Sequence, residues 1–115
     1  MLSKHIASLL GLIHAQLEET SCGLANAHHV HNVQCGIDNI LSLLERSKPL
    51  VDTSEQLFRL ASSYITRHDL ISSTEIDVSE DAGRLRAAHE ALAHFRSAVE
   101  RSRPNARAKT LGLIG

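Results

Sequence analysis

The stretch SEDAGRLRAAHEALAHFRSAVERSRP, residues 79–104, decides the fold. Leu85, Ala88, Leu92, Phe95 and Val99 recur at steps of three, four, three and four. That is the period of an α-helix with one apolar face. Asp77 or Ser79 supplies an N-cap oxygen, Glu80 and Asp81 occupy the first turn, and Arg101 and Arg103 close the segment. Acid at the start and base at the end is the arrangement the helix macrodipole favours. Pro104 stops the run, so the pattern predicts a helix over 80–103.

The same period recurs upstream. Ile6, Leu10, Ile13 and Leu17 form a stripe that Leu9 widens, which predicts a helix over 2–19. Val30, Val33, Ile37, Ile40 and Leu44 form a second, with Leu41 and Leu43 broadening it, over 24–47. Lys48 before Pro49 is read as its end. Thr53-Ser54-Glu55-Gln56 reads as a capping box opening a third helix over 54–69, with Leu57, Leu60, Ala61 and Tyr64 inward. Phe58 and Ile65 fall off that stripe. Residues 71–79 lose the period and are read as a loop.

Four amphipathic segments joined by short links predict an all-α, small antiparallel bundle of about four helices, one that dimerisation would complete if the hairpins open. Composition agrees. The 115 residues are the size of one domain, and the apolar 43% is nearly all aliphatic, with two Phe, one Tyr and no Trp. The bundle is assigned to 1–103 and a basic, then apolar, C-terminal tail to 104–115.

Several function classes recede on composition. A net charge of −1 gives no global attraction to nucleic acid or to a membrane surface. No run approaches the ~20 apolar residues of a membrane span. The apolar run 6–13 is broken by Ser8 and Gly11 and lacks a small-residue cleavage site, so it is read as a structural helix rather than a signal peptide. Cys22 and Cys35 have neither redox nor zinc spacing and are read as two thiols in a reducing cytoplasm. No phosphate-cradling glycine loop, nucleophile elbow or other cofactor signature occurs, and catalysis is not expected.

The eight histidines are the unusual feature: His5, His14, His28, His29, His31, His68, His89 and His94. His14 and Glu18, and Glu90 and His94, stand four apart and share helix faces. Helical bundles build metal sites from inward His and Glu on facing helices. Here the register places Glu90 and His94 outward, leaves His14 and His89 flanking the seams, and offers no Glu-x-x-His. Surface or seam-flanking histidine is the reading preferred, with a site using His14, Glu18 and His89 kept as the alternative. The first helix also carries its charges reversed, Lys4 at the start and Glu18 and Glu19 at the end. In a hairpin those carboxylates would face His28, His29 and His31; otherwise water solvates them.

The function expected is a protein-interaction module or regulator that binds a partner, itself included, without catalysis. Leu9, Leu41, Leu43, Phe58 and Ile65, apolar but off the main stripes, are the expected interface. A nucleic-acid-associated regulator is the remaining alternative, with Arg101, Arg103, Arg107 and Lys109 as phosphate contacts. It is less favoured because no aromatic side chain is interleaved for base stacking.

Overall fold

The structure, a computed structural model, describes residues 4–22, 27–70 and 78–106. These form four α-helices: α1 (Lys4–Ser21), α2 (Ala27–Leu41), α3 (Lys48–Leu70) and α4 (Val78–Arg101). The all-α bundle expected from the apolar periods is what the chain adopts.

Adjacent helices run antiparallel. Along α1 and α2, Ile13 faces Gly36, Gln16 accepts from Asn32 and Glu19 meets His29, so one number falls as the other rises. At the next hairpin Arg67, near the end of α3, lies 3.9 Å from Glu80 at the start of α4. Each helix packs on the next in sequence. α4 returns beside α1, where the packing is thinnest of the four seams. The bundle is elongated, 49 × 22 × 17 Å.

The core follows the stripes. Ile6, Leu10, Ile13 and Leu17 of α1 and Val33, Ile37 and Ile40 of α2 are buried. In α4 the buried line is Ala88, Ala91, Phe95 and Val99, whereas Leu85 and Leu92 are only half-buried. The buried line is thus shifted by one residue at Ala91, and α3 is the neighbour that α4 packs on most closely. Full burial of Phe95 removes a whole aromatic side chain from water, a contribution of about 1.5–3 kcal/mol.

The boundary between α2 and α3 departs from expectation. α2 ends at Leu41, and α3 begins at Lys48 with Pro49 in its first turn. A proline costs nothing there, because the first amides of a helix have no intrahelical acceptor. The Ser47 hydroxyl caps the helix, 3.4 Å from the Leu50 amide. Thr53 and Ser54 therefore lie inside α3. Their hydroxyls donate back to the carbonyls of Pro49 and Val51 at 2.7 Å instead of capping. Leu43 and Leu44, freed from the helix, plug the bundle end and are buried.

The start of the expected tail is paired with the segment that follows α2. Pro104 pairs with Leu44 as an isolated bridge. The Glu45 amide donates to the Arg103 carbonyl at 2.8 Å, and the Asn105 amide to the Leu43 carbonyl at 3.0 Å. Asn105 Nδ2 adds a bond to the Ser42 carbonyl at 2.8 Å. Residues 104 and 105 thus belong to the bundle. Of the expected loop at 71–79, residues 78 and 79 instead open α4, and 71–77 lie outside the described residues, as do 107–115 of the expected tail, Arg107 and Lys109 included.

Candidate functional site

The reversed charges of α1 are resolved by neighbours on both sides. Glu18 and Glu19 are adjacent in sequence, so the helix turns them toward different partners. Glu19 Oε2 lies 3.0 Å from Nε2 of His29 on α2. His29 is buried, and among the described residues its Nδ1 has no hydrogen-bond partner. Of the three histidines expected opposite α1, His29 is buried against Glu19, while His28 and His31 are exposed.

Glu18 turns to α4 instead. Its Oε1 lies 3.1 Å from Nε2 of His89 and 3.8 Å from Nε2 of His14. The two imidazole rings are tilted by 46° with centroids 5.1 Å apart. Each of the three residues offers a donor atom within 4.8 Å of the other two. His14 and Glu18 share a face of α1, and His89 reaches them across the α1–α4 seam. Sequence register argued against a metal site in the bundle interior. The three side chains meet at the seam's outer edge, where His14 and Glu18 are half-exposed. The register placed His14 and His89 beside seams; what it could not supply was that both flank the same one, between α1 and α4.

Beside this cluster, Ala7, Leu10, Gly11, His14, Leu92 and Arg96 line a cleft of about 350 Å³ between α1 and α4. Tyr64 on α3 is buried, and its hydroxyl pKa is pushed up to about 12, first by burial and then by the negative charges of Asp81 and Glu18 and by Cys22.

The expected interface residues divide. Leu43 and Ile65 are 3% and 0% exposed and belong to the core, so neither serves as surface. Ile65 continues the line Leu50, Ser54, Leu57 and Ala61, all buried. The polar Ser54 hid the start of that line in the sequence. Leu9, Leu41 and Phe58 are half-buried against the core. Leu41 and Phe58 come together with Ile37 and Val51 in a groove of about 230 Å³ between α2 and α3, edged by Asp38, Arg46 and Glu55. Leu9 is elsewhere, its carbonyl near Gly36 at the α1–α2 contact.

At the basic end, Arg101 and Arg103 are exposed. Arg101 edges a cleft between α3 and α4 that also holds Thr53, His94 and Ser97. Cys22 and Cys35 are both thiols, and Cys35 Sγ lies 3.4 Å from Nε2 of His31 on the same face of α2. None of the described helices is long and apolar enough to cross a membrane. Compared with known protein families, curated proteins and solved structures, the chain matches none.

Proposed function

We propose that this chain is a protein-interaction module, and that the groove between α2 and α3 receives apolar side chains of a partner protein. The observation that carries the reading is the pairing of Leu41 and Phe58, both half-buried, on the floor of one groove with charges of both signs on its rim. An apolar centre inside a polar edge is the usual anatomy of a binding patch. At about 230 Å³ the groove is smaller than the ~300–1,000 Å³ typical of small-molecule sites, and it suits one or two inserted side chains. The same reading keeps the chain in the cytoplasm, in line with its two unbridged thiols.

A second copy of the chain is the first partner to test. Sedimentation velocity over a wide concentration range should show association in the wild type and a monomer in Phe58→Asp. Should the wild type be a monomer, a photo-crosslinking residue is placed at position 58 in the source cell, with the exposed position Glu90 as control. A discrete adduct from 58 and none from 90 supports the groove. Association or adducts that are indifferent to Phe58 would remove it.

A further inference from the structure

We propose that His14, Glu18 and His89 bind a divalent transition-metal ion of the zinc type, and that the ion fastens α1 to α4. The donor set is the first ground. Two imidazoles and one carboxylate suit zinc better than magnesium or calcium, which prefer oxygen alone. Geometry is the second. Donors about 2.0–2.2 Å from a tetrahedral zinc stand about 3.3–3.5 Å from one another. The two Glu18–histidine separations, 3.1 and 3.8 Å, bracket that spacing, and all three donors lie within 4.8 Å of each other. Exposure is the third: His14 and Glu18 are half-exposed, which leaves water to fill the remaining coordination.

The position gives the ion its effect. Two ligands come from one turn of α1 and the third from α4, the pair of neighbouring helices that pack least on each other. An ion held by both helices is available only in the folded bundle, so binding adds to stability. The site stands apart from the α2–α3 groove and does not depend on it.

The test uses untagged, chelator-stripped full chain titrated with Zn²⁺ by calorimetry, together with thermal melting followed by circular dichroism. The wild type should take up one Zn²⁺ per chain. Its melting temperature should rise by roughly 10 °C at a hundredfold excess over Kd. His14→Ala, Glu18→Gln and His89→Gln should each weaken uptake by at least about tenfold, the lower end of what even a supporting group contributes to a metal site. His94→Ala and His31→Ala should change neither readout. Because His89 is partly buried, the wild type is also loaded with Co²⁺. Strong visible bands of a low-coordinate ion without a thiolate charge-transfer band point to the His14–Glu18–His89 set. Absence of saturable one-to-one uptake would overturn the proposal. So would uptake that survives all three substitutions, or that is lost with His31→Ala and accompanied by a thiolate band from Cys35.

Discussion

Gly36 and Gly83 both lie within helices, but a methyl group added to each would meet different surroundings. At Gly83 it would meet open space, so Gly83→Ala should stabilise the fold by about 0.5–1 kcal/mol through helix propensity. At Gly36 it would come 3.1 Å from Cγ1 of Ile13, a side chain with no exposed surface and little room to yield. The propensity gain is then set against an overpacking cost of about 1–3 kcal/mol, and Gly36→Ala should be net destabilising. Urea unfolding of the two variants beside the wild type reads the difference in sign. Tyr64 gives a second prediction at this scale. Its hydroxyl holds its proton up to about 12 in the fold and releases it near 10 when unfolded. The unfolded state therefore loses the proton first, and the stability that is fully present below about 10 should fall as pH rises to about 12, with no pH dependence from this group below that window. As the chain's one tyrosine it can be followed directly by tyrosinate absorbance, which should titrate near 12 in buffer and near 10 in denaturant. Residue by residue, the sequence announced the α1 stripe without ambiguity. It did not distinguish Phe58 from Ile65, since both stand off a stripe counted from Leu57. The structure separates them, with Ile65 in the core on the buried line of Leu50, Ser54, Leu57 and Ala61, and Phe58 half-buried beside it. Ile65→Asp should accordingly unfold the chain by circular dichroism, whereas Phe58→Asp should keep its helicity.

At the scale of the element, the start of α3 is where two signals in the sequence compete. Pro49 after a periodic segment reads as a stop, and Thr53 to Gln56 reads as a start. The same proline fits a first turn, and the Ser47 oxygen is placed to cap it. The fold takes the earlier start because it brings Leu50 into the core, where it is fully buried. Substitution separates the two starts. Ser47→Ala should cost about 0.5–1 kcal/mol as a lost cap. Thr53→Ala should be neutral or stabilising, since it removes a β-branched residue from a helix interior. The opposite ranking in thermal melts would place the helix start at Ser54. A similar competition explains the tail: nothing in Arg103-Pro104-Asn105 announces a partner, yet the Arg103 carbonyl accepts from the Glu45 amide and the Asn105 amide donates to the Leu43 carbonyl, just past the early end of α2. Asn105→Ala, which removes the side-chain bonds to Ser42 and Leu44, should cost about 1 kcal/mol.

Over the whole molecule, the four seams of the bundle are unequal, and this sets the order in which it should open. α3 and α4 are the two longest helices, 23 and 24 residues, and pack most closely on each other. α1 rests mainly on α2, through Ile13 against Gly36 and the Glu19–His29 contact. Toward α4 it has the cleft beside Gly11, which a methyl group at that position would not fill. Burial, rather than helix propensity, supplies most helical stability in a protein, so the helix with the thinnest seam should be the first released. Native-state hydrogen exchange in low denaturant should therefore show α1 amides exchanging through an opening of lower free energy than the α3–α4 pair, whose amides should report global unfolding. The result has a second use. Pinning α1 by Zn²⁺ at His14, Glu18 and His89 should raise the α1 opening free energy toward that of α3 and α4, whereas a ligand in the α2–α3 groove should leave the gap between them in place. If α1 instead exchanges with the global transition in metal-free protein, the thin α1–α4 seam does not set the order of opening, and α1 is held by its packing on the other helices as firmly as α3 and α4 hold each other.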